Sequence, residues 1–157
     1  RHVKISLMRK FLTMAAAILA AVSAFAQVQH TGNVELMEID NGIATFHVEG
    51  IASKKSDTML SAKETVFHRL FDNGVEGFNN DEKLVETITA KNKFYLEKFF
   101  DGKNAPMNRF VAGMQQVGNP SKNEFDLYKC SYTISIKYKV LSRDLVQNKL
   151  REKDIVE

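Results

Sequence analysis

The sequence has little cysteine, little proline and no long apolar run, and each shortage excludes a class of protein. A single cysteine, Cys130, excludes a miniprotein held by disulfides and a zinc site built from four cysteines. Two prolines among 157 residues, with 44% hydrophobic residues, argue against intrinsic disorder. The uncharged stretch Phe11–Ala26 has 16 residues, fewer than the roughly 20 that span a bilayer.

The positive charge of the chain is confined to its first residues. The whole chain has a net charge of +3, and residues 1–26 contribute four cations, Arg1, Lys4, Arg9 and Lys10, with no acid. Residues 27–157 therefore carry a net charge of −1. This balance excludes nucleic-acid binding driven by bulk charge.

Residues 1–26 have the composition of a secretory signal preceded by a few upstream residues. Met8 is the expected start, Phe11–Val22 is a 12-residue apolar run, and Ala24 and Ala26 are the small residues of a cleavage site. We predict cleavage between Ala26 and Gln27, which leaves residues 27–157 as one domain. Because no cysteine lies at the predicted cut, we expect no lipid anchor. The product is expected in the periplasm or outside the cell, with no stable transmembrane segment.

A hairpin is predicted at Asn41-Gly42, a dipeptide that suits the two positive-φ positions of a type I′ turn. Strands 34–40 and 43–49 flank it. A two-residue loop pairs Asp40 with Ile43, Ile39 with Ala44, and Met37 with Phe46. This register predicts an apolar face of Met37, Ile39, Ala44, Phe46 and Val48, and a polar face of Glu38, Asp40, Thr45, His47 and Glu49.

Two helical regions are predicted in the middle of the chain. The first begins at a cap on Ser56 or Asp57 and ends at Gly74, a natural left-handed cap. Its apolar stripe consists of Met59, Leu60, Ala62, Val66, Phe67, Leu70 and Phe71. The second, Asn79–Phe100, is predicted in one or two pieces and stops at Asp101-Gly102.

The last third predicts two strands and a closing helix. We expect a strand at Met107–Val117 and a turn at Gly118–Ser121. Tyr128–Val140 alternates apolar and polar residues, which predicts a long strand with one buried face. Ser142 is expected to cap a helix whose end, from Arg151 onward, frays. The apolar contacts of that helix are Leu141, Leu145, Val146 and Leu150.

The predicted order, β-β-α-α-β-β-α, is typical of an α+β fold. We expect an antiparallel sheet of about four strands with helices packed on one face, after a cleavable signal helix. The 131 residues that follow the signal should bury roughly two-thirds of the surface of the unfolded chain. No metal, disulfide or cofactor is therefore required for stability.

Few residues are candidates for chemistry. Cys130 shares the apolar face of its strand with Tyr128 and Tyr132, so we interpret it as a buried structural thiol rather than a nucleophile. His47 and Glu49 have the i,i+2 spacing of two metal ligands. A solvated strand face is the better interpretation, because the nearest third ligand, His30, falls in an N-terminal segment expected to be mobile.

The other catalytic patterns are missing from the sequence. Glu64 and His68 are four residues apart on a helix, which favours a surface contact over an acid–base pair. Serine-nucleophile, phosphate-loop and zinc-protease motifs do not occur. Paired carboxylates of a glycoside hydrolase cannot be identified from sequence spacing. We therefore predict no catalytic, cofactor-binding or metal-binding residue.

Two surface hypotheses follow from composition. Lys129, Lys137 and Lys139, with Ser131, Thr133 and Ser135 between them, are expected on one basic, hydroxylated sheet face. Such a face can bind polyanions, although lysines more often protect a sheet from edge pairing. The aromatic cluster of Tyr95, Phe99 and Phe100 either lines a groove for a ligand or forms the core contact of the second helix, and we favour the core contact.

Four features resemble one group of small envelope domains. They are the strand end Gly50-Ile51-Ala52, the capped helix with Asp57 and Ala62, the stop at Gly74, and the alternating strand followed by Leu141-x-x-x-Leu145. The group includes the N-terminal domain of flagellar assembly protein T and the twenty-kilodalton outer-membrane lipoprotein family.

The resemblance covers about residues 43–75 and 125–150. It implies a small-residue helix packed across an antiparallel sheet, and roles in assembly or at surfaces without catalysis. Val66 and Leu70 stand where small residues are usual, and the lipid-attachment cysteine is absent, so membrane anchorage is not implied.

The expected function is that of an exported, non-enzymatic envelope protein that acts through protein or surface contacts. Its partner would be another envelope protein or a second copy of the chain, not a nucleic acid. One alternative is a periplasmic binder of a small apolar or glycan ligand in the groove between helix and sheet, near Tyr95, Phe99 and Phe100. Another is a hydrolase with an unrecognised site.

Overall fold

A computed structural model describes residues 28–155, and the predicted signal peptide, residues 1–26, lies outside them. The described chain is an α+β fold with one antiparallel sheet. Its strands are β1 (Val28–Gln29), β2 (Val34–Asp40), β3 (Ile43–Ala52), β4 (Val111–Lys122) and β5 (Tyr128–Ile136). Its α-helices are α1 (Thr58–Asp72), α2 (Lys93–Phe99) and α3 (Tyr138–Gln147).

The two long central strands, β3 and β5, form the middle of the sheet. The strand order is β1-β3-β5-β4, and β2 pairs with β3 on the same side as β1. β2 covers the first part of β3, up to Val48, while β1 pairs with its last two residues, Ile51 and Ala52. β4 and β2 are therefore the long strands at the two opposite edges.

The Asn41-Gly42 turn has the predicted conformation, with φ of 50° and 80°. The pairs Asp40–Ile43 and Ile39–Ala44 form as predicted, but the pair Met37–Phe46 does not. A β-bulge between Leu36 and Glu38 shifts the register, so Leu36 lies opposite Phe46. Leu36 then packs against the core, and Met37 and Ile39 are 56% and 44% exposed. The extra residue of the bulge changes the face of the residues that precede it, so Leu36 instead of Met37 faces the core, while Ile39 keeps its predicted place opposite Ala44.

Helix α1 crosses one face of the sheet and buries most of the predicted stripe. Ala62, Val66, Phe67, Leu70 and Phe71 are buried. The first turn differs from the prediction, because it buries polar residues and leaves its apolar ones, Met59 and Leu60, exposed. Asp57 is the N-cap residue without a side-chain cap bond. Gly74 ends the helix with φ of 89° and donates its N–H to the Arg69 carbonyl.

The buried polar residues of this first turn connect the helix to three strands. Thr58 Oγ1 and Tyr132 Oη share a 2.8 Å hydrogen bond in the core. Ser61 Oγ accepts the N–H of Ile51 at 2.8 Å and donates to the carbonyl of Gln29. The helix start is therefore hydrogen-bonded to β1, β3 and β5.

The segment before α2 is extended, not helical, which corrects the prediction for Asn79–Phe100. Only a 3₁₀ turn, Asn79–Asp81, and α2 are helical there. The amides of Leu84 and Val85 donate to the carbonyls of Leu70 and Phe71 at the end of α1. Backbone groups satisfied by a neighbouring element do not need a helix of their own.

The segment before β5 also departs from the prediction. A 3₁₀ turn, Pro106–Phe110, precedes β4, and Gly118–Ser121 lies within β4 rather than in a turn. The pairing with β5 shifts between Val117 and Ser121, which accommodates Pro120 at the sheet edge. The turn falls at Asn123–Leu127, where the Asn123 amide donates to the Leu127 carbonyl.

The alternating strand ends earlier than predicted. β5 stops at Ile136, and Tyr138 opens α3, whose N-cap is Lys137. Tyr138 is buried in the first turn of α3, but Val140, the last apolar residue of the predicted alternation, is 51% exposed. Ser142 lies inside the helix, where its hydroxyl accepts the amide of Ile155, and it is not a cap.

The C-terminal segment is anchored, in contrast to the predicted fraying from Arg151. The Arg151 guanidinium donates to Asn79 Oδ1 at 3.3 Å and lies 3.5 Å from a Glu86 carboxylate oxygen. Leu150 is buried, and its carbonyl accepts the Glu86 amide. These contacts hold residues 150–155 against the extended segment. No helix within residues 28–155 has both the length and the apolar character needed to cross a bilayer.

We predict that Gly50→Ala destabilises the fold more than a glycine-to-alanine substitution on the edge strand β4. A Cβ at Gly50 would lie 1.9 Å from the Thr58 carbonyl oxygen. Because this neighbour is backbone, the helix must move away, and the loss should reach about 3 kcal/mol, the upper end for overpacked cores. Urea unfolding measures the change.

Gly113→Ala is the matched control, since nothing lies within 4 Å of a Cβ placed there. Its free energy of unfolding should stay within about 0.5 kcal/mol of the native value. Equal effects of the two substitutions would contradict the close approach of α1 to β3.

Candidate functional site: an uncharged sheet edge

Strand β4 presents a long free edge. Within residues 28–155 it pairs with β5 on one side, and no described strand pairs with its other side. It is the longest strand, with 12 residues, most of them exposed. A free edge carries unpaired backbone N–H and C=O groups, which form hydrogen bonds with another strand when one is offered.

The first seven residues of β4 do not protect this edge. Val111–Val117 contains no charged residue and no proline, whereas Pro120, Lys122 and the register shift lie in the last part of the strand. Natural sheets usually protect exposed edges with lysine, proline or inward charges. β2, at the opposite edge, has that protection, because Glu35, Glu38 and Asp40 are exposed along it.

Exposed apolar side chains accompany this edge. Val117 is 46% exposed, and Phe125, at the tip of the β4–β5 hairpin, is 73% exposed. The tip is structured, because Asn123 Oδ1 accepts the amides of both Phe125 and Leu127, and Lys122 pairs with Asp126 at 2.8 Å. An exposed aromatic ring on an ordered turn is typical of a contact residue at a protein interface.

The sheet face opposite α1 is polar and hydroxyl-rich, but it is not the basic face predicted. Thr45 and Ser135 share a 2.8 Å hydrogen bond there. Lys129 pairs with Glu49 at 3.1 Å, so its charge is neutralised. Lys137 and Lys139 belong to the start of α3, not to a strand. The three lysines therefore do not form one surface.

His47 lies on that polar face opposite Glu35 and Thr133. It shares the face with Glu49, as its spacing predicted. Glu49 is engaged, since its carboxylate also accepts the Asn33 amide. In the part of the chain that the structure describes, no group of three His, Cys, Asp or Glu side chains is arranged to hold a metal ion.

A cluster of two histidines, missed by the sequence reasoning, joins the N-terminal segment to α1. His30 was expected to be mobile, but its Nε2 lies 2.6 Å from Glu64 Oε2. Its ring centroid lies 4.6 Å from that of His68, and His68 stacks on Phe100 at 4.0 Å. Glu64 and His68 thus make separate contacts rather than an acid–base pair. His30 directly follows β1, and a strand of two residues leaves no periodic pattern in the sequence from which its position could be predicted.

The cluster lowers the pKa of His68. Burial of the ring is the main cause, and the neighbouring His30 adds to it, while hydrogen bonding to Asp72 opposes it. His68 Nδ1 lies 3.5 Å from the Asp72 carboxylate. His68 is therefore held mainly as the neutral imidazole, which suits stacking against Phe100.

Cys130 is buried, 2% exposed, as predicted. Its Sγ lies 3.8 Å from the Ser131 carbonyl oxygen and faces the core beneath α1. A nucleophilic thiol needs access to a substrate. The buried position of Cys130 offers no such access.

The aromatic cluster of α2 divides between core and surface. Phe99 is fully buried and has ring contacts with Phe67, Phe71 and Phe110. It fills the space between helix and sheet where a ligand groove was considered. Tyr95 and Phe100 are half-buried beside it, and Tyr95 Oη donates to Asp144 at 2.6 Å.

No protein-family model matches this chain, and no curated protein or solved structure matches it.

Acidification should unfold the protein partly through His68, and His68→Phe should reduce that effect. Because the pKa of His68 is lower in the folded than in the unfolded protein, its contribution to stability is complete above about pH 6.5 and is lost as the pH falls below it. Phe cannot titrate and can still stack on Phe100. Chemical denaturation at about pH 7.5 and pH 5.5 gives the two free energies of unfolding.

The difference between the two free energies should be smaller for His68→Phe than for the native chain. His68→Gln, which is polar and does not titrate, should show the same reduction. If the difference were unchanged in both variants, the lowered pKa of His68 would not contribute to the loss of stability at acidic pH.

The buried thiol of Cys130 gives a further prediction. An aromatic disulfide reagent should modify it slowly in the folded protein and rapidly once urea unfolds the chain, since reaction requires exposure of the core strand β5. Absorbance of the released thiolate measures both rates. Rapid, stoichiometric modification of the native protein would contradict the burial of Cys130.

Proposed function

We propose that this chain is an exported, non-enzymatic envelope domain that acts through protein contacts, and that β4 makes these contacts by pairing with β4 of a second copy. The uncharged free edge of Val111–Ser121 is the observation that carries the proposal. Pairing of this kind would extend the sheet across a two-fold axis. A role in assembly is also what the resemblance to envelope domains implies.

The charges on the two edge strands favour self-pairing through β4 over self-pairing through β2. When two β4 strands align antiparallel, no charged side chains within Val111–Ser121 oppose one another. When two β2 strands align, the acids Glu35, Glu38 and Asp40 oppose the same acids of the second copy, and like charges at facing positions are destabilising. Electrostatics therefore supports self-pairing at β4.

Apolar contacts would add to the backbone hydrogen bonds. Val117 lies on the polar sheet face opposite Ser131, and Met114 lies on the helix-covered side opposite Ile134. Each of the two faces of β4 thus carries an apolar side chain that can contact a second copy. Phe125 extends past the end of the pairing region, where a ring can contact the second copy.

A charge-insertion experiment tests the proposal. Gln115→Lys combined with Val117→Lys places two cations on one exposed face of β4. In a two-fold pair they meet the equivalent cations of the second copy, so the dissociation constant should rise at least about tenfold, equivalent to 1.4 kcal/mol. Sedimentation equilibrium of the purified protein over a concentration series measures it.

Glu35→Gln combined with Glu38→Gln is the matched control, because it changes the net charge by the same two units at the opposite edge. This variant should self-associate like the native protein. A native chain that is monomeric throughout the series would overturn the proposal, as would dissociation by the control alone.

A further inference from the structure

A cleft on the outer side of α2 is lined by lysines and an exposed phenylalanine. It lies between the loop before α2, α2 itself and the end of α3, and has a volume of about 350 Å³. Its lining consists of Thr89, Lys91, Asn92, Phe94, Tyr95, Lys98, Asn148 and Lys149. We call it the lysine cleft. It is separate from the β4 edge and from the space filled by Phe99.

The walls of the lysine cleft are joined by a buried asparagine. Asn92 is 7% exposed, and its side-chain amide donates to the carbonyls of Thr87 and Lys149 at 3.0 and 3.1 Å. Its Oδ1 accepts the Thr89 amide at 2.7 Å. One side chain thus connects the loop before α2 to the end of α3. The cleft is therefore formed before any ligand arrives, which lowers the entropic cost of binding.

The cleft concentrates positive charge that no carboxylate balances. Lys91, Lys98 and Lys149 line it, no acidic residue does, and none of the three forms an ion pair with a described residue. The acids of the flanking helices, Glu97 and Asp144, lie outside the lining, and Asp144 accepts the Tyr95 hydroxyl. Several lysines around one concave surface attract anions.

This charge is local. Without Arg1, Lys4, Arg9, Lys10 and Glu157, the described residues contain 18 Lys and Arg and 18 Asp and Glu, so their net charge is zero. A long polyanion such as a nucleic acid needs an extended positive surface along its backbone. The cleft instead suits a short ligand with a few anionic groups.

Phe94 adds a second requirement that a ligand of the lysine cleft must meet. It is 56% exposed at the cleft, beside the half-buried ring of Tyr95. Aromatic rings in ligand sites supply apolar area, while a few polar groups fix orientation. A ligand that fits both features has an apolar ring face and acidic substituents. The volume is near the lower end for small-molecule sites, about 300–1,000 Å³.

We infer that the lysine cleft binds an acidic saccharide, a short run of sugar rings bearing carboxylates. One ring lies on Phe94, and its carboxylates accept charge-assisted hydrogen bonds from the lysine ammonium groups. The lysine cleft lies on the outer side of α2, whereas the small apolar or glycan ligand was expected between helix and sheet, where Phe99 leaves no space.

Calorimetric titration with tri-galacturonic acid tests the inference, with maltotriose as the uncharged trisaccharide and inorganic phosphate as the anion without a ring. The acid trisaccharide should bind, and maltotriose and phosphate should bind at least about tenfold more weakly. Lys98→Glu and Phe94→Ala should each weaken binding at least about tenfold. Affinity should also fall as salt rises, because exposed charges are screened.

Lys103→Glu is the matched control. Lys103 is exposed, follows α2 and does not line the cleft, so its variant should bind like the native protein. Circular dichroism establishes that each variant is folded.

Three results would overturn the inference. One is equal affinity for phosphate and the acid trisaccharide with no effect of Phe94→Ala, which would indicate a simple anion patch. Another is tighter binding of a thymidine pentanucleotide than of the trisaccharide, which would indicate a single-stranded nucleic-acid site. The third is absence of trisaccharide binding by the folded native protein.

Discussion

The structure depends on the close approach of α1 to β3 at Gly50. A glycine there lets the Thr58 carbonyl come within 1.9 Å of the position a Cβ would occupy. At this distance Thr58 reaches Tyr132 on β5, and Ser61 reaches the backbone of both β1 and β3. A side chain at Gly50 would separate these pairs and leave polar groups buried without partners, which costs more than the packing itself.

The position of α1 determines which residues of the sheet are buried and which stay exposed. Because α1 covers one face of β3 and β5, the apolar residues of those strands are used in the core, and their polar residues face outward. The aromatic residues of the extended segment and α2 complete this core, Phe99 above all. The edge of β4 and the outer side of α2 are two of the surfaces that this core leaves exposed. Both surfaces lie at the periphery of the core, and their exposed residues, such as Val117 and Phe94, are free to contact another molecule.

The sequence predicted best where two local signals agreed. On β3, turn chemistry at Asn41-Gly42 and alternation of residue type both indicated the same strand, and its faces were confirmed. On β2 the pairs nearest the turn, Asp40–Ile43 and Ile39–Ala44, formed as predicted, but the bulge at Met37 made the Met37–Phe46 pair wrong. A bulge depends on contacts with Phe46 and the core beyond it, which local patterns do not contain. For the same reason His30 and Arg151, both held by distant partners, were expected to be mobile.

The sequence by itself determined the α+β class, the hairpin, the first helix with its stop at Gly74, and the burial of Cys130. Each follows from periodicity or backbone preference within one segment. Only the tertiary structure decided that Leu84 and Val85 are extended, that β4 is an edge strand, and that Lys91, Lys98 and Lys149 line one cleft. These features arise from contacts between residues far apart in the chain. Such contacts form when elements pack, and residue type within a short window does not specify them.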